Sequence, residues 1–352
     1  MKVLIVSGGT GGHIYPGLAV AEEFMNRGPG TQVLFIGSAE GLEKEIVPKA
    51  GYELKLIKAR ALLRKLSYKA VSAPFVCAMG FLQSLVLVHS YAPDVVIATG
   101  GYVSLPVVLA ARFWRKPVCL LEQNVLPGAV NRLVARFASQ RFLAFEEAQK
   151  YLSGKVVGNP VRRAIIEADR KRARQELAVG DRRAVLVMGG SQGAKKLNET
   201  LISVLDRLPE NVFVLHIIGN RDYAWVDRLL EGKRIANYRA LPYLHDMSQA
   251  LAAADLVISR AGATAIAECL VRGLPMVLVP FPYAAEDHQK LNASVVVRAG
   301  AAIMIEDKNL TPEKMLELLG QSLLDYDRMK NAALALARPD AAKRIVDAVK
   351  KD

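Results

Sequence analysis

Residues 2–17, KVLIVSGGTGGHIYPG, join an apolar, β-branched run to a glycine cluster and then to a helix-length segment. Residues 184–199, AVLVMGGSQGAKKLNE, repeat this arrangement, and Gly8 and Gly189 are 181 residues apart. A strand, a glycine-rich turn and a helix form the opening unit of a doubly wound α/β domain. Because this unit stands at the head of each half of the chain, the sequence predicts two Rossmann-like α/β domains with parallel sheets, facing one another across a cleft.

The rest of the chain continues this alternation. Short β-branched runs predict strands, and segments of mixed polarity, such as 16–26 and 195–208, predict the helices between them. The predicted strands are Lys2–Ser7, Gln32–Ile36, Val95–Ala98, Val118–Glu122, Ala184–Met188, Val212–Ile218, Leu256–Ser259 and Met276–Val279. We predict a first domain over residues 1–160, a second over 161–338, and a C-terminal helix in 339–352 that packs back on the first domain.

The composition is that of a globular chain with excess positive charge. Apolar residues make up 52% and charged residues 23% of 352, which excludes a disordered, collagen-like or coiled-coil chain. The net charge of +13 predicts attraction to an anionic partner: nucleic acid, an acidic membrane surface or a phosphorylated substrate. Three widely spaced cysteines predict neither a disulfide framework nor a thiolate zinc site and fit a reducing cytoplasm. The N-terminal apolar run is too short for a signal peptide and is interpreted as a buried strand.

One segment has the composition of a membrane contact. Residues 70–93 contain no Asp, Glu, Lys or Arg, but polar residues and Pro74 interrupt them, so we expect no spanning helix. Between Leu54 and Pro93 there are six basic residues and no acidic one. Two interpretations stay open: a segment that lies on an anionic bilayer, or a core helix preceded by a solvated loop. The candidate membrane patch consists of Arg64, Lys65, Lys69, Phe75 and Phe81.

The glycine cluster at 8–12 matches neither common nucleotide-binding motif. A dinucleotide fingerprint needs glycine where Ile14 stands and an acid after the second strand, and an NTPase phosphate loop needs Gly-Lys-Ser/Thr. Glycines let backbone N–H groups approach an anion, although a plain tight turn is the alternative. His13 favours a functional interpretation, because an imidazole at such a turn is well placed to act as a general base.

Two further glycine loops follow predicted strands. The loop 189–193 carries Ser191, whose hydroxyl and neighbouring amides suit a diphosphate at a helix N-terminus. Gly100, Gly101 and Tyr102 end the strand Val95–Ala98, at the carboxyl edge where open α/β sheets bind ligands. The three loops together predict two phosphorylated ligands, and a plain turn remains the alternative for each.

The second half also carries polar residues suited to a sugar nucleotide. In RAGATAIAE, residues 260–268, small residues open a helix, and Glu268 can accept hydrogen bonds from vicinal hydroxyls; an exposed helix glutamate is the alternative. Residues 280–292 form a proline-anchored loop in which Asp287 is a candidate helix cap. His288, Gln289 and Asn292 in the same stretch suit sugar hydroxyls.

No metal site is predicted. Residues 325–327, Asp-Tyr-Asp, match the DxD string of metal-dependent glycosyltransferases, but their helical setting favours a solvated helix face. The five histidines are scattered and show no ligand spacing.

Six separated motifs resemble one family along almost the whole chain. They are GGTGGHIYPG at the start, EQN at 122–124, GNPVR at 158–162, GGSQGA at 189–194, RAGATAIAE at 260–268 and the DHQ…NA segment from 287. This series is similar to the MurG family of peptidoglycan synthesis. The resemblance implies a GT-B architecture and metal-independent, inverting transfer of GlcNAc from UDP-GlcNAc to the C-4 hydroxyl of MurNAc in lipid I, giving lipid II. It also implies a peripheral enzyme on the cytoplasmic face of the membrane, with UDP-GlcNAc as substrate and no cofactor.

The resemblance also implies residue roles. The donor residues would be Asn124 and Gln289 for GlcNAc, Arg162 for the nucleotide, Leu244 for uracil through its backbone, Ser191 for the diphosphate and Glu268 for the ribose, with Ala263 and Thr264 at the helix N-terminus. The acceptor residues would be Thr10, Gly11, Gly12 and His13, with Gly100, Gly101 and Tyr102. Thr264–Ala265 replaces the Leu–Thr of many relatives, and His288 replaces a Gln found in some, so contacts of those side chains do not carry over.

Two other functions share part of this pattern. Another GT-B enzyme that uses a UDP-sugar, such as a glycolipid glycosyltransferase or a UDP-GlcNAc epimerase, would keep the donor half without the Gly100–Gly101 loop and the basic apolar segment. A peripheral membrane scaffold would keep that segment without Ser191, Glu268 or Gln289. A nucleic-acid partner is not expected, because the sequence has no basic recognition helix and no interleaved aromatic platform.

Overall fold

The computed structural model describes residues 1–59, 68–190, 193–233, 235–320 and 325–351, except the side chains of 68–75 and 285. Its Cα positions divide into two compact units. Unit 1 comprises Met1–Arg162 and Arg338–Asp352, and unit 2 comprises Arg163–Ala337. Five candidate residues lie outside this description, wholly or in their side chains: Arg64, Lys65, Lys69, Phe75 and Ser191.

Unit 1 is built on a parallel sheet of seven strands in the order β3-β2-β1-β4-β5-β6-β7. The strands are β1 (Lys2–Ser7), β2 (Gln32–Ser38), β3 (Glu53–Ile57), β4 (Val95–Gly100), β5 (Val118–Glu122), β6 (Gln140–Leu143) and β7 (Lys155–Val156). The helices in the first part of the unit are α1 (Gly11–Arg27), α2 (Glu43–Lys49), α3 (Tyr68–Tyr91), α4 (Ser104–Phe113) and α5 (Ala129–Val134). The order of the strands places the carboxyl ends of β1 and β4 side by side.

Unit 2 repeats the plan with six parallel strands in the order β10-β9-β8-β11-β12-β13. They are β8 (Arg183–Met188), β9 (Val212–Ile217), β10 (Tyr238–Leu241), β11 (Leu256–Ser259), β12 (Met276–Leu278) and β13 (Ala302–Met304). Its described helices are α6 (Arg163–Glu167), α7 (Arg170–Glu176), α8 (Lys195–Ile202), α9 (Asn220–Leu230), α10 (Ser248–Ala253), α11 (Ala263–Val271), α12 (His288–Arg298), α13 (Pro312–Gly320) and α14 (Tyr326–Leu336). The chain then ends with α15 (Ala341–Lys351), which belongs to unit 1. The predicted pair of Rossmann-like parallel sheets is confirmed.

Alternation along β1 explains how its sheet is covered on both faces. Val3 and Ile5 point into a core shared with α1 and with Ile345 and Val346 of α15. Leu4 and Val6 point into the opposite core, which includes residues of α3 and α4. Successive strand residues face opposite sides, so the part of a strand that is buried on both sides must be apolar, as residues 3–6 of β1 are.

Two predicted helices have different bounds in the structure. The helix expected over 16–26 begins earlier, at Gly11, because Thr10 is extended and serves as its N-cap residue. The glycine turn is therefore short, and His13 already lies in the first turn of α1. The helix expected over 195–208 ends at Ile202, and a separate 3-10 turn, Leu205–Arg207, follows it.

The α3 helix packs against the sheet of unit 1. Val88 is buried against the sheet, and Phe81, a predicted membrane residue, packs partly on the same core. Leu82 and Val86 on its outer side are 58% and 68% exposed. Within the part of the chain that the structure describes, no helix meets the length and apolarity needed to cross a bilayer.

Candidate active site

In unit 1 the glycine loop at 8–12 and the loop at Gly100 and Gly101 pack together around His13. A Cβ at Gly101 would lie 2.4 Å from the carbonyl oxygen of Gly8, and one at Gly100 would lie 2.9 Å from Cδ2 of the His13 ring. Both glycines also have positive φ angles, of 86° and 113°. Side chains at these two positions would therefore strain the backbone and displace the imidazole.

A hydrogen bond defines the tautomer of His13. Its Nδ1 lies 3.0 Å from the carbonyl oxygen of Gly8. A carbonyl oxygen only accepts, so in the neutral ring Nδ1 carries the proton and Nε2 carries the lone pair. The ring is partly exposed, and the Gly100 Cβ position lies 3.1 Å from Nε2 and 3.3 Å from Nδ2 of Asn131. The structure thus presents a basic nitrogen near the carboxyl edge of the sheet.

A buried carboxylate lies at the end of β5. Glu122 accepts hydrogen bonds from the Asn124 backbone N–H at 2.9 Å, the Asn131 side chain at 2.8 Å and the Gly128 backbone N–H at 3.3 Å. Burial raises the pKa of Glu122, and these donors oppose the rise without cancelling it. Asn124, predicted to bind GlcNAc, is half-buried and also donates to Glu122 through its side chain, at 3.3 Å.

The remaining unit 1 candidates lie in or beside the same loops. Thr10 and Gly12 are exposed and Gly11 is buried. The hydroxyl of Tyr102 forms a 2.9 Å hydrogen bond with that of Ser38 at the end of β2. Arg162, predicted to contact the nucleotide, places its guanidinium 4.1 Å from the ring centroid of Tyr15 on α1. That stacking holds Arg162, the last residue of the first segment of unit 1, against the helix that carries His13.

In unit 2 the glycines of the loop at 189–193 are sterically restricted. Gly190 and Gly193 have φ angles of 83° and 81°. A Cβ at Gly193 would lie 2.6 Å from the carbonyl oxygen of Ile218, and one at Gly189 would lie 2.4 Å from the backbone nitrogen of Ala194. The loop therefore has to be glycine-rich to reach α8, whose N-terminus begins at Lys195. The predicted diphosphate ligand Ser191 lies outside the described residues.

A buried polar chain, which no sequence pattern indicated, supports this loop. Asn198 donates to Asp222 Oδ2 at 2.9 Å and to the Ile218 carbonyl at 3.1 Å, so its Oδ1 is left to accept from His216 Nε2 at 2.9 Å. His216 Nδ1 then accepts from the hydroxyl of Tyr238 at 2.8 Å. Asp222 lies 2.8 Å from the Cβ position of Gly193, which links this chain to the loop.

The burial of His216 predicts a pH dependence of folding. The ring is fully buried, and desolvation lowers the pKa of His216 from 6.5 to about 3. Below pH 6.5, His216 is therefore protonated in the unfolded chain, whereas in the folded chain it stays neutral down to about pH 3. We expect this residue to reduce the free energy of unfolding by about 1.4 kcal/mol for each pH unit between pH 6 and 4.5. Urea titrations at several pH values give the free energy of unfolding of the wild type and of His216→Gln, which keeps a donor toward Asn198. If this free energy depended equally on pH in the two proteins, the prediction would be contradicted.

The helix α11 places the predicted ribose ligand. Its N-cap residue is Gly262, Ala263 begins the helix, and Ala263 and Thr264 are buried. Glu268 is only 6% exposed, so the alternative of an exposed helix glutamate is wrong. A carboxylate accepts hydrogen bonds, which is the property that the predicted contact with the ribose hydroxyls requires.

Gln289 and Leu244 lie on other segments of unit 2. The Oε1 atom of Gln289 accepts from the backbone N–H groups of Ala261 and Phe281, at 3.2 and 2.9 Å. This fixes its orientation beside the loop that leads into α11. Leu244 is half-buried in an irregular segment after β10, where the backbone is outside regular structure.

Two further details concern the predicted polar segments. Asp287 does not act as the predicted side-chain cap: it adopts a left-handed conformation with φ 52°, and its side chain makes no capping hydrogen bond to α12. Asp325 and Asp327 are exposed at the start of α14. Among the described residues, no three His, Cys, Asp or Glu side chains are grouped as a metal site requires.

Arg260, which precedes α11, has a structural role that the sequence pattern did not indicate. It is buried and donates to the backbone carbonyls of Val279 and Pro280, at 3.1 and 3.3 Å, and it forms an ion pair with Asp307. Its position directly after an apolar strand was the available signal, because a charged residue there is buried only when it is paired.

Comparisons with known proteins agree with this architecture. The N-terminal domain model of glycosyltransferase family 28 matches residues 3–143, and the C-terminal domain model matches 184–347. A protein of Moorella thermoacetica named UDP-N-acetylglucosamine--N-acetylmuramyl-(pentapeptide) pyrophosphoryl-undecaprenol N-acetylglucosamine transferase is 41% identical over 366 residues, covering 100% of this chain and 99% of that protein. A protein of the same name from Desulforamulus reducens is 38% identical, covering 100% of this chain and 98% of that protein.

Solved structures show the same relationship. The crystal structure of MurG from Acinetobacter baumannii is 30% identical, covers 100% of this chain and 99% of its own, and has a TM-score of 0.75. UDP-GlcNAc 2-epimerase from Neisseria meningitidis, at 15% identity and a TM-score of 0.66, shares the fold alone.

Two parallel-sheet domains with glycine loops, matched by both family 28 models, define a glycosyltransferase of the GT-B class. Within that class, the two transferases and the MurG structure match the whole of this chain at 38%, 41% and 30% identity. The chain belongs to the MurG family.

Proposed function

We propose that this enzyme transfers GlcNAc from UDP-GlcNAc to the C-4 hydroxyl of MurNAc in lipid I, forming lipid II. The observation that carries the proposal is the full-length similarity, at 38% and 41% identity, to two transferases named for this substrate and acceptor. The geometry of His13, with its basic Nε2 near the carboxyl edge of the unit 1 sheet, supports the proposal that His13 is the base for this reaction.

The proposed chemistry is an inverting displacement. Nε2 of His13 takes the proton of the C-4 hydroxyl as that oxygen forms a bond to C1 of GlcNAc, and the bond from C1 to the diphosphate breaks to release UDP. The N-termini of α8 and α11, together with Arg162, are proposed to stabilise the charge on the departing diphosphate. Thr10, Gly11 and Gly12 are proposed to bind the diphosphate of lipid I.

The direct test is transfer of radiolabel from UDP-GlcNAc to a short-chain analogue of lipid I. A labelled disaccharide lipid is the expected product. Release of labelled ManNAc or of free GlcNAc with no labelled lipid would reject the proposal in favour of an epimerase or a hydrolase.

We further propose that the enzyme binds an anionic membrane surface through α3 and the end of α4. Exposed apolar side chains lie there: Leu82 and Val86 on α3, and Phe113 and Trp114 at the C-terminal end of α4. The indole N–H of Trp114 donates to the Leu85 carbonyl at 3.0 Å, which joins the two helices at this surface. Arg112 and Arg115 are exposed beside them. Apolar side chains flanked by cations suit insertion among anionic headgroups. Such binding would bring the enzyme to an acceptor whose lipid chain lies in the membrane.

This proposal predicts the effect of removing two charges. Lys65→Ala combined with Lys69→Ala should weaken binding to phosphatidylglycerol vesicles about 30-fold, because each cation near the surface contributes about 1 kcal/mol. Affinity for UDP-GlcNAc should not change. Vesicle co-sedimentation measures the first and calorimetry the second. Lys171→Ala with Lys330→Ala, two exposed lysines of unit 2, makes the same change in charge and should leave vesicle binding intact. Vesicle binding unaltered by the first pair would favour the solvated-loop interpretation.

A further inference from the structure

Glu43 is a fully buried carboxylate to which the proposed reaction gives no role. It is the first residue of α2, and it accepts hydrogen bonds from the Ser38 N–H at 2.7 Å, the Ser38 hydroxyl at 2.9 Å and the Gly9 N–H at 3.0 Å. Three converging donors suit a carboxylate, which only accepts. Such a burial costs free energy unless the group is satisfied in this way.

Glycines enclose this carboxylate. A Cβ at Gly37 would lie 2.3 Å from Cγ of Glu43, and one at Gly41 would lie 2.0 Å from its Oε2. Any side chain at either position would push Glu43 out of place. The chain therefore holds the carboxylate in one position on the far side of the loop that precedes α1.

One peptide group joins Glu43 to His13. The N–H of Gly9 donates to Glu43 Oε2, and the carbonyl oxygen of Gly8, in the same peptide, accepts from His13 Nδ1 at 3.0 Å. The N–H and C=O of a trans peptide point in opposite directions, so the two hydrogen bonds lie on opposite sides of one polarisable unit. A negative charge at the N–H end draws the proton and leaves more electron density on the carbonyl oxygen.

We propose that Glu43 is a positioning residue for His13, acting through the Gly8–Gly9 peptide. The carboxylate strengthens Gly8 as an acceptor, which holds the imidazole in the Nδ1–H tautomer and stabilises the positive charge that forms when Nε2 takes a proton. Carboxylates that orient a catalytic imidazole usually contact it directly. Here the peptide carries the effect, and the arrangement rests on the proposed role of His13 as the base.

The test is the tautomer of His13 in protein labelled with ¹⁵N-histidine. The His13 resonances are assigned by their loss in His13→Gln and recorded at a pH where the ring is neutral. In the wild type Nδ1 should be protonated and Nε2 unprotonated. In Glu43→Gln, which keeps the size but places an amide among donors, a mixture of the two tautomers should appear. Transfer should fall about 10- to 100-fold in kcat, the size of effect seen when a metal-bound imidazole loses its orienting hydrogen-bond partner, with KM for UDP-GlcNAc unchanged.

Glu45→Gln is the matched control. Glu45 lies on the same helix and its replacement makes the same change in charge, but its carboxylate is paired with Lys49 at the surface. It should leave both the tautomer and kcat unchanged. A wild-type His13 in the Nε2–H form would overturn the proposal even if Glu43→Gln did not fold. An unaltered tautomer in a folded Glu43→Gln would also overturn the proposal for Glu43. Transfer activity of the wild type is measured separately, so failure of this proposal can be distinguished from failure of the proposed reaction.

Discussion

Replacement of His13 by alanine is expected to lower kcat for transfer to lipid I by a factor of about 10² to 10⁴, the usual contribution of a general base. Nε2 is the only nitrogen of the neutral ring with a lone pair, because Nδ1 donates to Gly8. Alanine removes that lone pair, and the acceptor hydroxyl must then lose its proton to water. Initial rates with radiolabelled UDP-GlcNAc and a water-soluble lipid I analogue measure the effect.

Two further measurements limit the interpretation of this result. Affinity for UDP, measured by calorimetry, should be unchanged in His13→Ala, since the donor residues of unit 2 remain. His89→Ala removes a different imidazole of unit 1, which stacks on Trp114 at the surface, and it should stay within about twofold of the wild type. Full transfer activity in His13→Ala would remove His13 from the role of base.

Glu268→Gln is expected to weaken UDP binding by about 10- to 100-fold, because a hydrogen bond to a charged group contributes roughly 1.5–3 kcal/mol. The carboxylate is 6% exposed on α11, where the buried Ala263 and Thr264 begin the helix. Glutamine keeps the volume but replaces one acceptor oxygen with a donor, which meets the donor hydroxyls of the ribose. Calorimetry with UDP measures the loss directly.

A modified ligand shows whether the ribose is the partner. The diphosphate of 2′,3′-dideoxyuridine lacks both hydroxyls, so Glu268→Gln should bind it about as well as the wild type does. Glu210→Gln, an exposed carboxylate of the same unit, provides the control and should not affect either ligand. If the variant lost equal affinity for both ligands, Glu268 would act on another part of the nucleotide or on the fold of α11.

The strands that the sequence predicted share a position in the fold. All eight lie inside the two sheets, where both faces are buried and the residues form continuous apolar runs. Of the five that it missed, β3, β7, β10 and β13 form the sheet edges and β6 lies beside one. Edge strands are short and partly solvated, so their composition resembles that of loops; β3, with the sequence ELKLI, is an example.

The site shows a similar division. The glycine loops were predictable because runs of neighbouring glycines define them, and His13 follows the first of these runs in the first turn of α1. Glu43, Asn131 and the chain from Asp222 to Tyr238 were missed, because their hydrogen-bond partners lie on other elements of the fold. Glu43 lies in GLEKE, a stretch with the composition of an exposed helix, and its burial becomes evident only in the fold, where Ser38 and Gly9 donate hydrogen bonds to it.

The position of α15 determines the order in which the molecule can be completed during synthesis. Ile345, Val346 and Val349 fill the face of the first sheet that α1 also covers, and Arg27 of α1 forms an ion pair with Asp347. A ribosome releases residues 1–162 long before these side chains exist, whereas residues 163–337 of unit 2 emerge as one continuous stretch. The half that is made first is therefore finished last, and a chain that stops short of its final eleven-residue helix leaves an apolar surface uncovered on the N-terminal half.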